Sequence, residues 1–240
     1  MARLARTVVP GLPHHVTQRG NRRAPIFFAP GDQRIYLNLL KEQVDRWGVE
    51  VWAYCLMPNH LHLVATPSDE GGLARAFGEA HRRYTTFVNA RHEWTGHLFQ
   101  ARFASVVLDE RHLLTAARYV TLNPVRAGLV DRAEDWPWSS ARAHLAGRDD
   151  QLVRVAPLLS RIDSFADTLE TEPIDGEFSG LRAAETTGRP LGSDAFIADL
   201  ERRLDRTLAR QRPGPKPQFR GQLTYFPEAT RTGGRGTDGK

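Results

Sequence analysis

The run Val49-Glu-Val-Trp-Ala-Tyr-Cys-Leu-Met57, then Pro58-Asn59, then His60-Leu-His-Leu-Val-Ala-Thr66 decides how this 240-residue chain is read. Two β-rich segments joined by a tight Pro-Asn turn make a hairpin. Successive strand side chains leave opposite faces, so Leu61 and Leu63 enter a core while His60 and His62 emerge together on the other side. Upstream, Gly31 to Trp47 carries Ile35, Leu39, Leu40, Val44 and Trp47 at helical spacing, and Gly48 ends that helix. Before it, His14 to Gln18 reads as a strand running into an Arg19-Gly-Asn-Arg-Arg23 turn. Downstream, Leu73 to Arg91 forms a helix with Leu73, Phe77, Ala80, Tyr84 and Val88 along one side, and Leu98 to Leu108 returns to strand character. Asp109 is a good N-cap for a third helix through about Leu122, which Pro124 is expected to stop. The order strand, helix, hairpin, helix, strand, helix predicts an α+β fold, an antiparallel sheet with helices packed on one face.

Trp136 to Leu145 reads as one more helix, packed by its tryptophans and beginning at or after Pro137. After Gly147 the periodicity weakens, until Ser193 caps a helix from Asp194 to about Arg210. From about residue 212 the Pro-rich and then Gly/Thr/Arg-rich composition reads as disordered in the free chain. The expected division is a main domain over residues 1–147 and a C-terminal accessory region, mainly helical and then disordered, over 148–240.

Charge is unevenly spread within a net +5. Before Asp32 stand Arg3, Arg6, Arg19, Arg22 and Arg23 and no acid, residues 150–199 carry ten acids against four arginines, and residues 200–240 carry ten basic groups against four acids. Basic segments flanking a more neutral body suit a polyanionic partner, although solvated surface arginines give the same pattern. No apolar run approaches the ~20 residues that cross a bilayer, which argues against a membrane role. Cys55 is the lone cysteine, so no internal disulfide can form, and the Arg-rich start is no secretory leader; a reducing, cytoplasmic setting is expected.

Two imidazoles two residues apart on a strand can converge on one cation, or can simply be hydrogen-bonded on a sheet surface. With a single cysteine, a thiolate-rich structural zinc site is impossible, and oxygen ligands completing the sphere would leave room for a phosphate. On the third helix Leu113, Ala117 and Val120 form the apolar face, and Tyr119 lies off that stripe on the side of His112, Thr115 and Asn123. Asn123 is four residues on from Tyr119, so a phenol and an amide oxygen can face the same ion. A boundary tyrosine with its hydroxyl in water fits the helix equally well.

Taken together, the residues resemble the active site of the HUH single-tyrosine transposases, in particular the REP-associated tyrosine transposase branch of the IS200-like enzymes. Leu56-Met-Pro-Asn-His-Leu-His-Leu-Val64 resembles the family's histidine strand, and Arg118-Tyr-Val-Thr-Leu-Asn-Pro-Val-Arg-Ala-Gly-Leu-Val130 its nucleophile helix and exit turn. Val16 to Arg22, Gly96 to Asp109 and Trp136-Pro-Trp-Ser-Ser140 look like further family blocks, and Thr187 to Phe196 a looser one. The resemblance implies a ferredoxin-like sheet domain and a divalent metal, Mg²⁺ or Mn²⁺, held by His60, His62 and the side-chain oxygen of Asn123. It also implies attack by Tyr119 on single-stranded or hairpin DNA from repeated palindromic elements, through a 5′-phosphotyrosine intermediate. Relatives often carry Gln where this chain has Asn123, which is one methylene shorter. Arg19, Arg22, Arg23, Arg102 and Arg126 are the expected DNA-binding residues; Phe99 and Phe103, beside Arg102, fit the core better than a base-stacking surface. A nucleoid-associated monomer or homodimer is implied. Two alternatives stay open: a catalytically silent DNA-binding protein of the same fold, and a metallohydrolase in which the histidines activate water and Tyr119 only donates a hydrogen bond.

Overall fold

The computed structural model describes residues 6–170, 176 and 178–209. His14–Arg19 (β1), Val49–Met57 (β2), His60–Pro67 (β3) and Ala104–Val107 (β4) form one antiparallel sheet in the order β2-β3-β1-β4. Asp32–Arg46 (α1) connects β1 to β2, Gly72–His92 (α2) connects β3 to β4, and Glu110–Arg126 (α3) follows β4. This is the α+β order that the sequence predicts, and the ferredoxin-like fold that the resemblance implies.

One feature of the expected architecture is corrected. Helices cover both faces of the sheet, not one. Val16, Tyr54, Leu56, Leu61, Leu63 and Ala65 point to a core shared with α1 and α2, where Tyr36, Leu40, Phe77 and Tyr84 are fully or almost fully buried. The alternate residues Ala53, Cys55, Met57, Val64 and Val106 are also apolar, and α3 buries them with Leu113, Ala117 and Val120. A sheet whose two sides are both apolar needs two covers. His60 and His62 interrupt the second apolar face, which places them under α3.

Several element boundaries also differ from expectation. The third helix runs through Pro124 to Arg126, because a proline in the last turn removes a single hydrogen bond; Gly128, at φ 65°, provides the actual turn out of it. Leu98 to Phe103 is not strand: Ala101 sits at φ 54°, and β4 begins only at Ala104. The helix expected at or after Pro137 is confined to Ala141–Leu145 (α4). Its would-be first turns pair instead with the open edge of β2, where Leu56 N–H donates to Trp138 O (2.8 Å) and Ser140 N–H to Tyr54 O (2.9 Å). The helix capped by Ser193 ends at Leu204, with Asp205 left-handed at φ 45°.

After Gly147 the chain forms the short helices Ala156–Leu159 (α5), Phe165–Glu170 (α6) and Ser179–Thr187 (α7), then Asp194–Leu204 (α8). This stretch is tied to both edges of the sheet. Arg154 N–H donates to Val51 O on the β2 side, while Leu191 N–H donates to Val107 O on the β4 side (both 2.8 Å). The described residues up to Ala209 form one compact unit. The disorder expected after about residue 212, and the basic tail, lie outside the described residues.

Candidate active site

Strand register builds the floor of the site. Thr17 pairs with His62 and Arg19 with His60, so His15, Thr17 and Arg19 of β1 share the face that carries His60 and His62. His15 sits diagonally from His62, with its Nε2 3.1 Å from His62 Nδ1. The two rings lie 5.3 Å apart with planes only 12° from parallel. His60 meets His62 edge to face at 5.0 Å, and its Nδ1 is 2.6 Å from Asn59 Oδ1 in the turn just before it. In both histidines of the motif, therefore, Nδ1 is engaged by a protein partner.

The roof is α3. Asp109 caps it as expected, accepting from His112 N–H at 2.9 Å, and also receives Ser193 N–H at 2.9 Å, which fixes the helix start against the later chain. Tyr119 then lies over the histidines, its ring 5.2 Å from His62 and 5.8 Å from His15, edge to face with each. The expectation that Tyr119 stands clear of the core is corrected, since its exposure is 7%. Phe178, at the N-cap of α7, covers it at 5.1 Å, and the Arg126 guanidinium lies over the Tyr119 ring at 5.0 Å and the Phe178 ring at 4.8 Å. Asn123 is buried, and its Nδ2 has no hydrogen-bond partner. His112 and Thr115 take no part: His112 turns back to Asp109 and Thr115 to the Arg111 carbonyl.

Sequence reasoning missed His15 and Glu185. Glu185 reaches in from α7, its Oε1 3.8 Å from His15 Nδ1 and 3.9 Å from His62 Nδ1. Donor atoms of His15, His62 and Glu185 all fall within 4.8 Å of one another, a grouping that could hold a metal ion. His15 Nδ1 and Glu185 Oε1 are both buried without a hydrogen-bond partner.

The electrostatics suit a cation. Burial lowers the His15 pKa to about 3; burial and the nearby Arg19 lower that of His60 to about 4. His62 is pushed well below its ordinary value by burial first, then by His15, His60, Arg19 and Arg126. All three imidazoles are thus neutral at pH 7, the form that ligates a metal. Burial raises the Glu185 pKa to about 7 against the pull of Arg19 and Arg182, so the carboxylate lacks a sufficient positive charge. Burial and Glu185 also raise the Tyr119 phenol, while Arg126, which hydrogen-bonds to it, and Arg182 act the other way. Neutral imidazoles beside a carboxylate short of positive charge fit a divalent ion.

Of the expected DNA-binding residues, Arg19 and Arg102 line a cavity of about 370 Å³ together with His60, His62 and Glu185. Arg22 and Arg23 are exposed, at φ 54° and 62°, in the turn after β1; the Asn59 side chain holds that turn by donating to Arg23 O at 3.0 Å. Arg126 sits on the Tyr119 ring. Phe99 and Phe103 are core residues.

A histidine strand lying under a tyrosine helix on a β2-β3-β1-β4 sheet is the arrangement that the sequence motifs imply. Residues 8–123 match the family of IS200-like transposases. The REP-associated tyrosine transposase of Escherichia coli K12 is 25% identical over 109 residues, 45% of this chain and 63% of that protein. A Haemophilus influenzae protein provisionally given the same name is 26% identical over 111 residues, 42% of this chain and 63% of its own length. The chain thus matches 63% of the length of these curated relatives. Among solved structures, a REP-associated tyrosine transposase bound to a REP hairpin aligns with a TM-score of 0.54 and 19% identity, covering 72% of this chain and 99% of that one. At that identity the likeness concerns the fold, and it extends past the stretch matched by the IS200-like family.

Proposed function

We propose that this protein is a metal-dependent, single-tyrosine DNA transposase that cleaves and rejoins single-stranded or hairpin DNA, such as repeated palindromic elements, through a 5′-phosphotyrosine intermediate. The observation that carries the reading is the edge-to-face contact of the Tyr119 and His62 rings at 5.2 Å, with Asn123 buried one helical turn further on. Tyr119 is the nucleophile, and His60, His62 and Asn123 are the residues that would hold Mg²⁺ or Mn²⁺. When bound, such an ion stabilises phenolate charge and polarises a non-bridging phosphate oxygen.

The chain's own residues do the rest. The Tyr119 oxygen attacks phosphorus and gives up its proton to water, the bond from phosphorus to the 3′ oxygen breaks, and that oxygen leaves as a hydroxyl by taking a proton from solvent. Arg126, lying on the phenol ring, opposes the rise in its pKa. Reversal by a second 3′ hydroxyl rejoins strands without a nucleotide cofactor. Arg19 and Arg102 would hold phosphates inside the cavity, and Arg22 and Arg23 just outside it.

Unpaired DNA also has a stacking surface. Phe28, His92 and Trp94 make an aromatic group, with ring pairs at 4.4 to 5.3 Å, and Trp94 is 49% exposed. Ile26 N–H donates to Pro58 O, so this group lies at the end of the sheet where β3 begins with His60. One chain supplies both histidine strand and tyrosine helix, which supports a monomer acting alone. The accessory region from 148 onward would contribute to holding DNA, and the protein would work at the nucleoid.

The test is incubation of the full chain with labelled single-stranded hairpins and Mn²⁺. A denaturant-resistant protein–DNA adduct that vanishes in Tyr119→Phe is expected. Strand cleavage retained in that variant, with no adduct in the native protein, favours water activated by the histidines. The burial of Tyr119 beneath Phe178 favours one competing reading, a silent DNA-binding protein, for which hairpin binding without any cleavage is the outcome.

A further inference from the structure

We propose that His15 is a positioning residue for His62, and that Glu185 completes a three-member chain in which His62 Nδ1–H donates to His15 Nε2 and His15 Nδ1–H points to Glu185. This rests on the reading of His62 as a metal ligand, and it assigns tasks to two residues outside both sequence motifs.

Hydrogen-bond polarity sets the arrangement. The His15 and His62 nitrogens are 3.1 Å apart, with ring planes 12° from parallel and centroids 5.3 Å apart, the separation of rings meeting edge to edge rather than face to face. Between two neutral imidazoles only one nitrogen on that line carries a hydrogen. If His15 donated from Nε2, its Nδ1 would be bare and would face the ionised Glu185 carboxylate, acceptor against acceptor. His62 would then carry its hydrogen on Nε2 and be closed to a metal. If His62 donates from Nδ1, its Nε2 is bare, and the hydrogen of His15 sits on Nδ1. That atom is one of the buried polar atoms without a partner, and Glu185 Oε1, 3.8 Å away, is another. An unpartnered donor and an unpartnered acceptor then face each other, and a shift of about 1 Å in the Glu185 side chain closes the bond.

The consequence is preorganisation. A metal-ligating histidine gains orientation and basicity when its second ring nitrogen is held, and loss of such a partner commonly lowers metal affinity about 10- to 100-fold. His60 has the parallel arrangement, with Nδ1 on Asn59 Oδ1. Both histidines of the motif would thus offer Nε2 to one ion. Glu185 comes from α7, so the chain also links the accessory region to ligand geometry.

The first test uses ¹⁵N-histidine spectra of the full-length, metal-free protein, which separate the two neutral tautomers. His62 should be the Nδ1–H tautomer, and should lose that preference in His15→Phe. His15→Gln, whose amide oxygen can still accept, should restore it. The second test is Mn²⁺ affinity by electron paramagnetic resonance, with thermal melts to verify folding. A loss of about 10- to 100-fold is expected in His15→Phe, with partial recovery in His15→Gln and a smaller loss in Glu185→Gln. Finding the Nε2–H tautomer at His62 overturns the proposal. So does direct coordination by His15, visible as a Zn²⁺-induced shift of its own nitrogens, and so does affinity indifferent to His15. The adduct assay with Tyr119→Phe is separate: an adduct with no tautomer preference leaves the transposase reading standing alone, and a tautomer preference with no adduct leaves only the positioning chain.

Discussion

Asp32→Asn should break the ion pair that ties the start of α1 to the end of α2. Asp32 opens α1 with its side chain 1% exposed, and its Oδ2 accepts the N–H groups of Phe28 (2.7 Å) and Ala29 (2.9 Å). Arg91, in the last turn of α2, grips both carboxylate oxygens at 2.7 and 2.8 Å. Burial alone would raise the carboxyl pKa, but Arg91 and the two backbone donors bring it from 3.8 down to about 2. A depressed carboxylate contributes stability that is present above the unfolded value of 3.8 and lost as pH falls through about 2. The shift is worth at most roughly 2 kcal/mol, and solvent screening at the partly exposed Arg91 reduces it to about 1 to 2 kcal/mol. Removing the charge also leaves Arg91 half-paired, for a total cost of about 2 to 3 kcal/mol at pH 7. A unit of this size should then melt about 5 to 10 °C lower. Calorimetry of both proteins from pH 2 to 7 is the measurement, with the native protein losing its advantage below pH 4. Melting curves that fall in parallel with acid, or a difference under about 2 °C at pH 7, would mean that the Asp32–Arg91 pair adds little stability. The clamp also carries Phe28, so a weakened clamp should loosen the aromatic group beside it.

Trp94→Ala should weaken binding of hairpins with single-stranded flanks about tenfold, since one stacked base is worth about 1 to 3 kcal/mol, while leaving fully paired duplex unaffected; equal losses on both would count against stacking. Ser140→Ala should cost about 1 to 3 kcal/mol in urea denaturation, because the fully buried hydroxyl receives Tyr54 N–H at 2.9 Å and donates to Tyr54 O at 3.3 Å. Cys55 is fully buried, and burial pushes its thiol well up, so an aromatic disulfide reagent should label it only after denaturation; fast labelling of the native protein would contradict the packing of β2 under α3.

The hairpin, the first two helices and the cap of the third were legible because each rests on local chemistry: alternation in His60 to Thr66, helical spacing from Ile35 to Val44, and the Asp109 side chain. The second covered face was hidden in plain sight. Ala53, Cys55, Met57 and Val64 are apolar on the side opposite Leu61 and Leu63, and a strand apolar on both sides predicts a cover on both. His15 was recoverable in principle, because antiparallel pairing of β1 with β3 puts every second residue of β1 on the histidine face. That inference needs the register, and register is a long-range property. Glu185 had no local signal. It lies in the acid-rich stretch after Gly147, where helical periodicity is weak, and only docking of α7 brings it to the histidines. The edge-seeking of Trp138 to Ser140 was equally unreadable, since their backbone bonds replace helix with sheet contacts to β2.

The stretch after Gly147 therefore reaches into the chemistry, although every residue of the two recognisable motifs precedes it. Phe178 covers the phenol and Glu185 faces the imidazoles, while Arg154 and Leu191 add backbone bonds at opposite edges of the sheet. Truncation after Gly147 removes all four at once: it uncovers Tyr119, withdraws the carboxylate, and exposes backbone groups on β2 and β4 that are paired in the intact chain. Lost DNA binding in such a truncation would then follow from a damaged sheet as readily as from missing DNA contacts of the accessory region. Single changes at Phe178 or Glu185 alter the site without touching those edge bonds, and they separate the accessory region's part in chemistry from its part in stability.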